Sequence, residues 1–124
     1  MNILLADDDS KIHLIVQLWL KKNGHLVHFA QNGKQALEKL QQIPCDVLIT
    51  DVNMPFVNGV ELVKAALQLP EAPNLIIVMT SRCDIAQLRC EIHSQKVHLL
   101  NKPFSPKTLA DLIEDFAARK VTEA

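Results

Sequence analysis

A doubly wound α/β domain is the fold class that this sequence predicts, on three observations. Short apolar runs recur along the chain, segments with helical spacing of apolar residues separate them, and turn or capping residues mark the junctions. The runs are Ile3 to Ala6, Leu26 to Ala30, Val47 to Ile49, Leu75 to Met79 and Val97 to Leu100. The first, third and fourth are continuously apolar, as in strands of a parallel sheet covered on both faces, while the second and fifth contain His28 and His98.

Each intervening segment reads as a helix. Ile12, Ile15, Val16, Trp19 and Leu20 follow the spacing of one buried face, with Asp9 or Ser10 as cap and Asn23-Gly24 as terminator. Trp19 therefore reads as a packing residue. Ala36, Leu37 and Leu40 mark a second helix after the Asn32-Gly33 turn, and Leu62, Val63, Ala66 and Leu67 a third that ends before Pro70. Ile85, Leu88 and Ile92 mark a fourth, with Asp84 and Gln87 placed as a capping box. Leu109, Leu112, Ile113, Phe116 and Ala117 mark a fifth, with Ser105 as cap and Pro106 in its first turn.

Composition narrows the function classes. The chain has 124 residues, 48% hydrophobic and 22% charged, which suits one domain with a substantial core. No stretch approaches the roughly 20 apolar residues of a membrane span, and the N-terminus lacks the pattern of a signal peptide, so a cytoplasmic protein is expected. A net charge of −1 without a basic stripe argues against direct nucleic-acid binding. Cys45, Cys83 and Cys90 lack metal-type spacing and read as reduced thiols. The histidines His13, His25, His28, His93 and His98 are scattered, without paired metal-ligand spacing.

Ligands of such sheets bind outside the carboxyl ends of the strands, where the winding reverses. Four runs lead there to chemically capable residues: Asp7 and Asp8 after the first, Asp51 after the third, Thr80 and Ser81 after the fourth, Lys102 after the fifth. Three carboxylates brought together repel unless a cation neutralises them, and a hard divalent ion such as Mg²⁺ suits oxygen donors. One carboxylate can then act as a nucleophile toward a phosphoryl group, with the ion and Lys102 neutralising its oxygens. Each residue alone is commonly a cap, turn or surface group; their joint placement at the strand ends is what signals a site.

From "ILLADDDS" through "DVLITDVNMPFVNGVEL" and "LIIVMTSR" to "LLNKPFSPKTL", the chain resembles the receiver domain of two-component response regulators. The resemblance implies a flavodoxin-like (βα)5 domain over residues 1–121, with a parallel sheet in the order 2-1-3-4-5, helices on both faces, and residues 122–124 as a tail or the start of a linker. It implies Asp51 as phosphoacceptor. Mg²⁺, with Mn²⁺ as an alternative, would be held by Asp7, Asp8, Asp51 and the backbone carbonyl of Asn53. Thr80 and Ser81 would be the switch hydroxyls, and Lys102 would contact the phosphoryl group. Met54-Pro55 and Asn58-Gly59 match the family's loop after the acceptor, and the Lys102–Pro103 bond would be cis. The donor would be the phosphohistidine of a sensor histidine kinase or a histidine phosphotransfer protein. The target would be a downstream protein or an attached output domain, and the face of the fourth helix, fifth strand and fifth helix would be a surface for homodimers. Beyond self-phosphorylation and self-dephosphorylation no enzymatic activity is implied.

The chain departs from the family's pattern in places. Leu99 stands where an aromatic residue usually reports phosphorylation, so aromatic switching in its usual form is not expected; His98 should point to the opposite face of the strand. Ser94-Gln95-Lys96 replaces a common Gly-Ala pair. Asn53 and Arg82 occupy the positions that, by the resemblance, would flank the attacking water, and Arg82 could not accept a proton from it. Self-dephosphorylation slower than in Arg82→Glu is the expectation. Two other readings compete. A receiver-like interaction module that works without phosphorylation is disfavoured by the presence of Asp51 and Lys102. An aspartate-nucleophile phosphatase would need a general acid where Asn53 stands and a cap over the substrate.

Overall fold

The computed structural model describes residues 1–52, 58–80, 88–90, 92, 94, 96–101 and 105–123; for Ser10 and residues 119–123 it describes the backbone only. Five strands, β1 (Asn2–Ala6), β2 (Leu26–Ala30), β3 (Val47–Asp51), β4 (Leu75–Thr80) and β5 (Val97–Asn101), form one sheet in the order β2-β1-β3-β4-β5. All four pairings are parallel. The helices are α1 (Ser10–Lys22), α2 (Gly33–Gln42), α3 (Gly59–Leu67) and a C-terminal helix (Pro106–Glu123). Residues 88–90 are also helical, within the expected fourth helix, whose Asp84, Ile85 and Gln87 lie outside the described residues.

Alternation along the strands sorts the side chains into two apolar layers. Leu4, Leu48, Ile76 and Val78 pack beneath α2 and α3 with Ala36, Leu40, Leu62, Val63 and Ala66. Ile3, Leu5, Val47, Ile49, Ile77 and Met79 face Val16 and Leu20 of α1 and Leu109, Ala110 and Ile113 of the C-terminal helix. β3 and β4 are buried along their whole length, which explains their unbroken apolar runs.

Capping side chains place the helix starts. Asp9 accepts from the Lys11 N–H at 2.9 Å, Asn32 from Gln35 at 2.9 Å, Asn58 from Glu61 at 2.9 Å and Ser105 from Thr108 at 3.1 Å. Asn32-Gly33 is thus a cap and a first helical residue rather than a free turn. Gly24, in the left-handed region at φ 85°, closes α1 after Asn23. His25, just beyond, is buried and paired through Nε2 with Glu114 of the C-terminal helix, which ties that helix to the end of α1.

One face assignment is corrected. Ile15 and Trp19 do not lie on the buried stripe of α1: they are 44% and 39% exposed, whereas Val16 and Leu20 are buried. Leu14 and Leu18 extend this outer apolar surface. The helix is apolar nearly all round, so its spacing admits two faces, and the sheet takes the one through Val16 and Leu20.

Candidate metal centre

The carboxyl ends of β1 and β3 bring three acidic residues together. Asp7 follows Ala6 directly, and the Ala6–Thr50 register of the paired strands sets Asp7 beside Asp51 at the end of β3. One carboxylate oxygen from each of Asp7, Asp8 and Asp51 lies within 4.8 Å of the other two. Asp7 is 1% and Asp51 8% exposed, while Asp8 is open to solvent. The cluster is therefore walled on the protein side and accessible on one side.

The donor set suits a small hard cation. Mg²⁺ holds oxygens at about 2.1 Å, so ligands across the ion stand roughly 4 Å apart. Three carboxylate oxygens within 4.8 Å reach that arrangement with small side-chain adjustments.

Asp7, Asp8 and Asp9 serve different purposes. The Asp7 N–H donates to the Ala30 carbonyl at 3.1 Å, and its Oδ1 accepts from the Asp9 N–H at 2.9 Å. Asp9 caps α1. The Asp51 carbonyl accepts from the Thr50 hydroxyl at 2.9 Å, and Val52 donates to the Met79 carbonyl at 3.2 Å, so the chain after β3 stays tied to β4. Thr80, 2% exposed, ends β4 in register with Asn101 of β5.

Beside the site lie Gly59, which the resemblance places in the loop after the acceptor, and His13, whose placement escaped the sequence. Gly59 packs against the Asp51–Val52 backbone and donates its N–H to the Val52 carbonyl at 2.8 Å. His13 of α1 stacks on Phe29 of β2, with ring centroids 4.9 Å apart and an interplanar angle of 23°. Burial pushes its pKa below the usual histidine value, against the hydrogen bond to the Asp7 backbone and the charges of Asp9 and Asp8, which pull it up; Lys39 lowers it further. No spacing rule marks His13, because Phe29 comes from β2 and is joined to it only by the fold.

Asn53, Met54, Pro55, Ser81, Arg82, Cys83, His93, Gln95, Lys102 and Pro103, with the expected cis bond, lie outside the described residues. Leu99 packs on the α2–α3 side of the sheet and Leu100 on the other, while His98 is exposed. Leu99 also borders an open cavity of about 330 Å³ lined by Arg89, Ile92, Ser94, Val97 and His98.

The comparisons agree with this geometry. The family model for the response regulator receiver domain matches residues 3–114. The response regulator receiver protein CpdR of Brucella abortus is 34% identical over 91% of this chain and 93% of its own length. Response regulator RR06 of Streptococcus pneumoniae is 29% identical, and the chain spans about half of it, 54%. Among solved structures, the Vibrio cholerae chemotaxis protein CheY4 superposes with a TM-score of 0.77 at 31% identity, covering 92% of this chain and 96% of that one. A parallel sheet in the order β2-β1-β3-β4-β5, an acidic cluster at its carboxyl edge and a family match along nearly the whole sequence lead to one conclusion: the chain belongs to the response regulator receiver domain family.

Proposed function

We propose that this signalling domain accepts a phosphoryl group from a phosphohistidine donor onto Asp51 in a Mg²⁺-dependent reaction, and that phosphorylation shifts its conformation to control a partner or an output domain. The observation that carries this reading is the convergence of Asp7, Asp8 and Asp51 within 4.8 Å. An Asp51 carboxylate oxygen forms the new P–O bond as the P–N bond of the donor breaks, and the imidazole nitrogen leaves with the electron pair. Asp7 and Asp8, with the carbonyl of Asn53, are the residues proposed to hold the ion. When bound, Mg²⁺ supplies charge neutralisation to the phosphoryl oxygens.

Asp51 is the proposed acceptor because it ends a fully buried strand and so presents its carboxylate from a fixed backbone. Thr80, anchored at the end of β4, is proposed to donate its hydroxyl to a phosphoryl oxygen, with Ser81 beside it and Lys102 as the neutralising cation. Asn53 and Arg82 are proposed to set the lifetime of the phosphoaspartate, and Leu99 to replace the aromatic switch with a smaller apolar one. The donor is proposed to be a sensor histidine kinase or histidine phosphotransfer protein in the cytoplasm. No described helix is long and apolar enough to cross a membrane.

The test is intact mass after incubation with Mg²⁺ and acetyl phosphate. One added phosphoryl mass that is absent in Asp51→Asn and in the presence of a chelator supports the reading. No gain with acetyl phosphate or with phosphohistidine donors would replace it with that of a phosphorylation-independent interaction module.

A further inference from the structure

Four of the five large apolar side chains exposed among the described residues stand on α1: Leu14, Ile15, Leu18 and Trp19. The fifth, Leu26, is on β2. Leu14 is 59% and Leu18 64% exposed. The spacing makes two short ridges of i, i+4 neighbours, Leu14–Leu18 and Ile15–Trp19, with a groove between them. A recess of about 170 Å³ lies beside them, lined by Leu18, Trp19 and Lys22. Together the four side chains leave about 400 Å² of apolar surface in water, a patch of the size that marks a binding site on many proteins. A standard interface takes about 800 Å² from each partner, a little over half of it apolar. The patch thus supplies the apolar share of one side of such an interface.

Charge says what covers it. α1 carries Lys11, Lys21 and Lys22 and no acidic residue. The C-terminal helix packs in the same layer and presents Asp111 and Asp115, both exposed. A basic helix and an acidic one therefore lie side by side. Their levels are matched as well. His25, just past the end of α1, pairs with Glu114, so Asp115, the next residue, stands near the level of Lys22. A two-fold axis running along the helices keeps that level. It seats each α1 between α1 and the C-terminal helix of the other copy, so that ridges enter grooves and Lys22 of one copy meets Asp115 of the other.

We propose that a second copy of this chain docks on the outer face of α1, in an isologous dimer that buries Leu14, Ile15, Leu18 and Trp19 and pairs Lys22 with Asp115 across the two-fold axis. The lysines and the acids make the surface complementary to itself, which an apolar stripe alone would not be.

Sedimentation equilibrium and tryptophan emission, over a dilution series of the intact unphosphorylated chain, test this. Trp19 is the sole tryptophan, so its emission reports this face. The expected result is a dimer with a Kd below about 1 mM, with emission moving to shorter wavelength as it forms. Leu18→Lys should raise the Kd at least about tenfold, since it buries an unpaired charge. Leu26→Lys is the control: Leu26 is as exposed as Leu14 but borders a separate recess with Gln17 and Lys21, and its Kd should stay within about twofold. Lys22→Glu and Asp115→Lys should each weaken the dimer, and the double variant should recover it, because the pair is then reversed rather than broken. A chain that stays monomeric up to about 1 mM would overturn the proposal and leave the face to a different protein. So would a dimer that Leu18→Lys leaves intact, which would lie on another face, or a double variant no tighter than the single ones. None of these readouts involves phosphoryl transfer or a metal, so the result stands apart from the reading of Asp51.

Discussion

Gly59 lies so close to Asp51 that a β-carbon on it would stand 2.3 Å from the Asp51 carbonyl oxygen and 2.7 Å from the Cα of Val52. Both neighbours are backbone atoms, so no side-chain rotation relieves the overlap. Glycine is required here for close approach, since its φ is not in the left-handed region that makes glycine necessary at Gly24. The first turn of α3 is thereby pressed against the strand end that carries Asp51.

Gly59→Ala should therefore act on stability and on chemistry together. The expected loss is about 1–3 kcal/mol, the usual range for forced overpacking, with a slower gain of phosphoryl mass from acetyl phosphate because Asp51 is displaced. Asn58→Ala makes the control: it removes the cap of the same helix at a cost of about 1 kcal/mol without pushing on Asp51. Urea unfolding and the phosphorylation rate measure the two effects. A Gly59→Ala chain with unchanged stability would contradict the contact.

The acidic cluster makes a prediction about metal removal. Three carboxylate oxygens within 4.8 Å repel one another when no cation neutralises them. Mg²⁺ should raise the melting temperature of the unmodified chain, and a chelator should reverse the rise, because an ion held only by the folded cluster would favour the folded state. Asp8→Asn removes one of the repelling charges from an exposed position. It should melt at or above the unmodified chain without Mg²⁺ and gain less when Mg²⁺ is added. A variant that melts lower in chelator yet gains as much from Mg²⁺ would argue against a shared ion.

The outer face of α1 makes a third prediction. Leu20 is 1% exposed and Trp19 39%. Leu20→Ala should cost about 2–5 kcal/mol, as for other buried leucines, and Trp19→Ala about 1 kcal/mol, well below the value for a buried tryptophan. Chemical unfolding of the two variants, followed by circular dichroism because one of them lacks the tryptophan, gives the comparison. Equal losses would mean that Trp19 packs as its spacing alone suggests.

That difference shows where the sequence is informative. β3 and β4 could be read because they are buried on both faces and so carry unbroken apolar runs. The acidic centre could be read because a parallel sheet brings all its carboxyl ends to one edge, so Asp7, Asp8 and Asp51 stand out although far apart in the chain. The face of α1 was ambiguous because Leu14, Ile15, Leu18 and Trp19 make its outer side as apolar as its inner one. The histidine behind Asp7 was invisible for another reason. His13 meets Phe29 only because β2 pairs with β1, and nothing local in either segment signals it.

Cys45 supplies the pH prediction. Its thiol donates to the Val47 carbonyl at 3.1 Å, and burial pushes its pKa from 9.0 up to about 11, with the Asp46 charge adding to the rise. Between these values the folded chain keeps a proton that the unfolded chain has lost. Unfolding then releases that proton, so a rise in pH favours the unfolded state, and the contribution of Cys45 to stability falls from about pH 9 to about pH 11. Below that window the thiol is protonated in both states and contributes no pH dependence. The sequence has no tyrosine, so no phenol titrates across the same range. The difference in urea midpoint between the unmodified chain and Cys45→Ala isolates the effect from the lysines and the other cysteines. It should narrow as pH rises through the window, and a constant difference would mean that Cys45 ionises as readily folded as unfolded. The same burial should protect the thiol chemically: with iodoacetamide at about pH 8, peptide mapping should find the exposed Cys90 alkylated well before Cys45.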